Sequence, residues 1–506
     1  MNRFIIAIAV ILPTLIEVID TTVVNVSLAH IRGSLSAGFD EATWAITAYL
    51  ISNAIIIPMT GWLSRLFGRK KFLIFSISLF TVSSLMCGMS TSLSMLIFFR
   101  ILQGVGGGAL QPISQAILFE TFPPRQHGMA MAIFGIGVMF GPIIGPILGG
   151  WITDNWSWRW IFYINIPICI FSIAMITWFI KDPPYLKRIK SHIDWYGLGL
   201  ITVGLGCLQI ILDKGQNEDW FNSPFIVRLA VISAVCLISF IFVELNSKEP
   251  IVNLRAFKNR SFASGNCIQF LAFGSMFGSI VLLPLFVQQL LGYNAFLAGL
   301  VLAPGGMATL ISLPLAGKLV NRVNPRYILI TGVGITAYST LIMSAFNLNV
   351  DFNTITFSRV LMGFGMGLIF VPLTNMTLSS IPKEDMGNGT SIFNLLRNLG
   401  GSIGTAFFMT MLAQRGQFHQ ARFAESANAL NPMYQISRHQ AAAALAARGM
   451  PAQGANGVIY QNMLAQAGMG AYADTFFACF IILLCIIPLA FVIQRPKHPV
   501  DGVAVH

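Results

Sequence analysis

The sequence predicts an all-α protein that crosses a membrane many times, as two bundles of six helices with two further transmembrane helices inserted between them. Three observations lead there. Of 506 residues, 55% are hydrophobic and only 10% are charged, with a mean hydropathy of +0.72, outside the range of an ordinary soluble domain. Apolar windows of about 20 residues recur between short polar breaks, each long enough to carry a helix across roughly 30 Å of hydrocarbon. The chain also resembles itself at a nearly constant offset.

Fourteen windows fall at about 5–29, 42–64, 71–91, 94–119, 127–150, 160–180, 195–212, 224–244, 262–287, 294–317, 327–346, 354–380, 387–412 and 471–493. The first is too long for a signal peptide, carries Glu17 and Asp20 and lacks a small-residue cleavage site, so it is kept as a span. In the fourth, "FFRILQGVGGG" at 98–108 matches "FSRVLMGFGMG" at 357–367 at an offset of 259. That offset persists from Pro123/Pro382 and Gly128/Gly387 to Gly141/Gly400 and Gly145/Gly404. The segment from 58, "PMTGWLSRLFGRKKFLI", matches "PLAGKLVNRVNPRYILI" from 314 at an offset of 256. Two copies of one bundle therefore make up most of the chain. The division expected is a bundle over 1–180, a linker with two extra spans over 181–260, a second bundle over 261–494 and a cytoplasmic tail over 495–506. The second bundle includes a long, helix-permissive extracytoplasmic loop, 413–470.

The formal net charge is +12, yet its distribution argues against nucleic acid as a partner. On one side of the alternating path the breaks hold Arg65, Arg69, Lys70, Lys71, Lys181, Lys187, Arg188, Lys190, Arg255, Lys258, Arg260, Lys318, Arg322 and Arg326, and the short breaks opposite hold almost none. This asymmetry is the positive-inside pattern, which puts both termini in the cytoplasm. The charges are dispersed over separate loops and form no binding motif. All seven cysteines lie within or at the ends of apolar spans without metal or redox spacing, so buried free thiols are expected.

Charge inside the spans carries the functional argument. Glu17 and Asp20 lie three apart in "LPTLIEVIDTTVVNVSLAH", on one helical face. Each costs about 2.5–3.5 kcal/mol at the bilayer centre on insertion scales, so such groups face a partner or a cavity. One outcome is a permanent clamp to an arginine; the other is a carboxylate that loads and releases a proton as its exposure alternates. Arg100 and Arg397 are the candidate counter-charges, and Arg359, the repeat mate of Arg100, is expected to hold its helix in the second bundle. Gln103 and Gly104, about one turn past Arg100, offer a hydrogen-bonding side chain beside a close backbone approach. Gly106–Gly108 lack the preceding strand and the following Gly-Lys-Ser/Thr of a nucleotide loop, so no ATP site is expected.

In the fifth span, "FGPIIGPILGG" holds residues that would weaken a helix in water. Gly137, Gly141, Gly145 and Gly149 step by four and form a smooth stripe for a close helix contact. Pro142 and Pro146 remove N–H groups and bend the helix. The expectation is a helix shaped to seal against the other bundle; a packing face without a transport role is the alternative.

These segments resemble the major facilitator superfamily, specifically its fourteen-span drug:proton antiporters of the EmrB type, over nearly the whole chain. "IDTTVVNVSL" is similar to the family's first-span motif and "GWLSRLFGRKK" to its loop between spans two and three. "RILQGVGGG" resembles its fourth-span motif, "GIGVMFGPIIGPILGGW" its antiporter motif and "WSWRWIFYINIPI" the start of span six. The resemblance implies that Asp20 and Arg100, with Glu17 as an added group, take part in proton coupling. It implies that Gly137, Gly141, Pro142, Gly145, Pro146 and Gly149 form the antiporter helix and that Gly61, Gly68, Arg69 and Lys70 form a cytoplasmic gating loop. Two departures stand out: the superfamily loop has Asp where this chain has Arg65, and Glu17 is not a general family position.

A proton-coupled exporter of amphipathic drugs in the bacterial inner membrane is the function implied, driven by the proton gradient with no cofactor or metal. Its cavity candidates are Glu17, Asn25, Gln103, Gln111 and Arg397, with soft apolar side chains permitting broad substrate choice. Relatives of the EmrB type work with a periplasmic adaptor (EmrA-type) and an outer-membrane channel, so segment 413–470 is either a docking site for an adaptor or a solvent-facing flap. Proton-linked uptake of a metabolite is a rival that the fifth-span motif argues against. A non-transporting receptor or scaffold is another, which predicts no substrate-evoked proton flux in vesicles. An enzyme is not expected, since no nucleophile–base or metal constellation appears.

Overall fold

The structure is a computed structural model that describes residues 3–182, 194–247, 249–428, 431–449 and 451–493. Lys187, Arg188 and Lys190 of the linker and the tail 495–506 lie outside the described residues.

The first bundle comprises α1 (Arg3–Ser34), α2 (Phe39–Phe67), α3 (Arg69–Gly88), α4 (Leu93–Gly107), α5 (Leu110–Thr121), α6 (His127–Asn155), α7 (Trp160–Tyr163) and α8 (Asn165–Phe179). The fourth predicted span is thus two helices, α4 and α5, parted at the glycine run that ends at Gly108. The sixth is parted in the same way into α7 and α8. Two further helices follow, α9 (Trp195–Lys214) and α10 (Pro224–Asn246). The second bundle holds α11 (Arg260–Gln289), α12 (Ala295–Leu319), α13 (Pro325–Ser344), α14 (Phe352–Leu378), α15 (Met386–Ser426), α16 (Pro432–Ala446) and α17 (Ala455–Val492).

Among the described residues, 13 helices are long and apolar enough to cross a membrane by length and composition. The remaining predicted span, 387–412, lies inside α15, where Asn388, Asn394 and Arg397 make the segment more polar; all three are buried. Internal helix contacts repeat between the bundles. As α1 packs on α6, α2 on α4, and α3 on α4 and α8, so α11 packs on α15, α12 on α14, and α13 on α14 and α17. The bundles meet along α6–α12, α2–α15, α5–α15 and α6–α14. Helix α9 lies on α2 and α15, and one apolar cluster with Trp62, Leu205, Phe240 and Phe262 ties the inserted pair to both bundles.

The predicted loop 413–470 is largely helix. Helix α15 has 41 residues and α17 has 38, about 60 Å each at 1.5 Å per residue, twice the hydrocarbon thickness. The alanine-rich composition lets both helices continue past the apolar windows. Arg415 Nε donates to Asp474 Oδ2 at 2.6 Å and His419 Nε2 lies 2.8 Å from the same oxygen, joining the two extensions.

The glycine stripe of α6 departs from the expectation. A Cβ on Gly137 would come within 2.7 Å of Ile11, on Gly141 within 2.5 Å of Val18, on Gly145 within 1.8 Å of Thr22 and on Gly149 within 3.0 Å of Val23. All four partners belong to α1, so the stripe seats α6 within its own bundle. Other residues of α6 face the second bundle: Pro142 and Pro146 line a cavity shared with α11, α12 and α14. A stripe of small residues announces a close approach; it does not say to which helix.

Glycines also close the end of the molecule that bears the basic loops. A Cβ on Gly61 of α2 would lie 2.7 Å from the Asn388 nitrogen of α15, and one on Gly128 of α6 would lie 2.9 Å from the Gly317 oxygen of α12. Backbone meets backbone at both points, which shuts the seam between bundles there.

Candidate transport site

Two polar clusters hang from one segment of α1. A step of three residues turns the helix by 300°, so Glu17 and Asp20 point about 60° apart and reach different neighbours. Asp20, 1% exposed, accepts from Arg100 Nη1 at 2.5 Å, Gln103 Nε2 at 2.9 Å and Asn165 Nδ2 at 2.8 Å. Arg100 also donates through Nε to the Ala45 carbonyl at 3.0 Å, and its guanidinium lies over the Tyr49 ring, 4.1 Å from the centroid. Its Nη2 has no partner among the described residues. In this conformation Asp20 is enclosed within the first bundle. A pair this buried is costly to break from one side, about 3–5 kcal/mol, because the remaining charge is left without compensation.

Glu17, 3% exposed, has only neutral donors in direct contact: Gln111 Nε2 at 2.5 Å, Asn53 Nδ2 at 3.0 Å and Tyr49 Oη at 3.3 Å. Gln111 on α5 in turn accepts from Arg397 of α15 in the second bundle, and Arg397 acts on Glu17 electrostatically. Of the two candidate counter-charges, Arg397 therefore reaches Glu17 through one amide that spans the seam. Beside it, Asn394 Nδ2 of α15 donates to Gln115 Oε1 of α5 at 2.6 Å. Tyr49 connects the two clusters, with its hydroxyl on Glu17 and its ring under Arg100.

Four members of these clusters, Tyr49, Asn53, Asn165 and Gln115, carry no spacing that the sequence argument could use. Asn165 lies inside the quoted "WSWRWIFYINIPI", and its depth in an apolar span was the available signal. Asn25 belongs to neither cluster. It is exposed, two turns beyond Glu17 and about 80° round α1 from it.

The loop residues Gly61, Gly68, Arg69 and Lys70 form a second locus at the closed end. Gly68 has φ +86, which lets α2 end and α3 begin in one residue. Arg69 is buried and pairs with Glu120 of α5, a partner absent from the sequence argument. Lys70 donates through its backbone N to Asp182 at 2.8 Å and through Nζ to the Thr177 carbonyl at 2.6 Å. Arg65 is half-buried and makes no hydrogen bond or ion pair among the described residues.

A family model described as Major Facilitator Superfamily matches residues 10–405. The multidrug export protein EmrB of Haemophilus influenzae (strain ATCC 51907 / DSM 11121 / KW20 / Rd) is 40% identical over 431 residues, 85% of this chain and 84% of that protein. The multidrug export protein EmrB of Escherichia coli (strain K12) is 37% identical over 493 residues, 97% of this chain and 95% of that protein. Among solved structures, the proton:xylose symporter XylE superposes with a TM-score of 0.61 over 96% of each chain at 14% identity, a likeness of fold alone. With a family match across both bundles and relatives aligned along most of their length, the chain belongs to the Major Facilitator Superfamily, within its EmrB-type multidrug efflux transporters.

Proposed function

We propose that this chain exports amphipathic compounds across the bacterial inner membrane in exchange for protons, with Glu17 as the carboxylate at the seam and the Asp20–Arg100 pair as its linked partner. The observation that carries this reading is the Glu17–Gln111–Arg397 chain, which joins an acid of one bundle to a cation of the other in mid-membrane. The basic loops put the closed end and both termini in the cytoplasm, so this conformation faces outward. A proton arriving between the bundles meets Glu17 first, because Asp20 is enclosed within the first bundle. Its neutralisation removes the counter-charge of Arg397 and loosens the relay across the seam, which frees the bundles to rock. Tyr49 carries the change to Arg100, and Asp20 takes up or gives up its proton as that pair opens. Export as the direction agrees with the EmrB relatives, which are multidrug export proteins. The extended ends of α15 and α17, with α16 between them, offer an EmrA-type periplasmic adaptor a helical surface, through which an outer-membrane channel is reached.

The test is the purified chain in liposomes with an imposed pH gradient, offered cationic dyes and lipophilic weak acids. Proton flux evoked by substrate, and lost in Glu17→Gln and Asp20→Asn, is expected. Undiminished coupled flux in both variants overturns the reading.

A further inference from the structure

The inserted pair carries an acid couple that neither the repeat nor the proposed exchange uses. Glu244, near the end of α10, is 1% exposed, and its Oε1 has no partner among the described residues. Asp194, half-buried, caps α9 by accepting from the Gly197 N–H through Oδ1 at 2.9 Å. A Cβ on Gly197 would lie 2.9 Å from both Asp194 Oδ2 and Glu244 Oε1. The two oxygens are therefore no more than about 6 Å apart, the range in which like charges act strongly on one another. Helix α10 packs on α9, on the turn at Trp220–Asn222 and on the turn at Leu254–Lys258. Asp213 and Lys214 lie at the far end of α9, and Lys258 is exposed. Arg255 turns its Nη2 to the Leu245 and Ser247 carbonyls at 3.1 and 3.2 Å. Among the described residues, that leaves Asp194 as the charge acting on Glu244.

What the couple holds is the linker into α11. Glu244 Oε2 accepts from the Val252 N–H at 3.4 Å. One residue on, Asn253 is clasped by Asn388 of α15: its N–H donates to Asn388 Oδ1 at 2.9 Å and its carbonyl accepts from Asn388 Nδ2 at 3.2 Å. Asn388 is also the residue whose backbone meets Gly61 at the closed seam. At the opposite end of α9, Asp213 accepts from Thr47 and Lys214 Nζ donates to Thr43 Oγ1 at 2.7 Å, both on α2. The inserted pair thus runs as a diagonal strap, tied to the first bundle at one end and to the second bundle at the closed seam.

We propose that Asp194 and Glu244 share one proton and form a pH-sensitive brake on the closed seam. With the proton in place, a neutral Glu244 donates from Oε1 to Asp194 Oδ2, the ends of α9 and α10 stay together, and Val252 and Asn253 stay aligned on Asn388. Loss of the proton to water through half-buried Asp194 leaves two negative charges facing each other in an apolar surround, which is costly. The helix ends then part, the clasp on Asn388 is lost and the seam opens more readily. The side of the membrane rests on the export reading, which puts the closed end in the cytoplasm; acidification there, the consequence of proton entry, would slow the exchange that causes it. The brake itself is separate from Glu17 and Asp20 and needs no substrate.

The test is the distance between spin labels on α2 and α15 at the closed end, in the full chain in phosphatidylcholine nanodiscs without substrate, at about pH 6 and about pH 8.5, either side of neutrality. In wild type the open-to-closed ratio is expected to rise about tenfold on the alkaline side, the size of one charge-assisted bond. In Glu244→Gln, whose amide accepts from Val252 and donates to Asp194, it is expected to change less than about twofold. Asp194→Asn keeps the cap on Gly197 and donates to Glu244, so it is expected to stay closed at both values, and it decides the matter where Glu244→Gln does not fold. Asn388→Ala removes the clasp and is expected to open the seam at both values. A pH response of wild-type size in Glu244→Gln or Asp194→Asn overturns the brake. If Glu17→Gln abolishes that response instead, it belongs to the exchange site, and the export reading stands without the brake. A response lost in the two neutral variants, in a chain that shows no pH-driven efflux in liposomes, leaves the brake and removes the export reading.

Discussion

Replacing Asp20 by Asn preserves size and removes the charge, and the surrounding geometry sets the cost. The carboxylate receives Arg100 on Oδ2 and both Gln103 and Asn165 on Oδ1. An amide has one oxygen and one NH2, so in either orientation its NH2 faces a donor. Arg100 Nη2 is already without a partner, so the guanidinium has no spare acceptor to turn to. Removing one member of such a buried pair costs about 3–5 kcal/mol. The same cost is expected for Arg100→Met alone. The double variant Asp20→Asn/Arg100→Met leaves no charge behind, and should cost less than the two singles together by about 3 kcal/mol or more. Reversible unfolding in mixed micelles measures stability, and pH-driven flux in liposomes measures coupling, which all three variants should lose. A double variant whose cost equals the sum of the singles would refute the clamp.

Four further outcomes are expected. Glu17→Gln keeps the hydrogen-bonding shape and removes the counter-charge of Arg397, so flux of cationic dyes should fall at least tenfold while folding is kept, read by size-exclusion profile and dye efflux. Gly145→Val places carbon where a Cβ would meet Thr22 at 1.8 Å, so α1 and α6 must part; a loss of about 1–3 kcal/mol in the same micelle assay is expected. Gly61→Val wedges the closed end against Asn388, and spin labels on α2 and α15 should report a wider seam there than in wild type. The Thr354 hydroxyl, with the amides of Asn353 and Thr354, holds Asp351 at the start of α14 below the ordinary carboxylate value. Its cap is therefore complete above the unfolded-state value and is lost as pH falls through the native one; protection of the Asn353 and Thr354 amides from hydrogen exchange, relative to their intrinsic rates, should fall only on the acid side.

Much of this arrangement was legible in the residues. Hydropathy located the spans, and the repeat at 98–108 and 357–367 anticipated contacts that recur in both bundles. Asp20 and Arg100 stood out because charge in an apolar span demands a partner. Tyr49, Asn53 and Asn165 did not, since an amide or a phenol costs less to bury and leaves no periodic trace. The stripe from Gly137 to Gly149 gave a close contact without its direction, because any small-residue face suits α1 and α12 equally. Segment 413–470 read as helix-permissive, and most of it is helix; alanine favours a helix whether or not a membrane surrounds it.

Helix α15 carries Asn388 at the closed seam, Arg397 at the relay to Glu17 and His419 in the extension. It is one unbroken rod, and from Arg397 to His419 it rises about 33 Å at 1.5 Å per residue. A tilt of about 10° around Arg397 would sweep its outer arm sideways by about 6 Å at that length. Any widening of the closed seam that tilts this rod would therefore reach the far end of the hairpin as a sideways displacement.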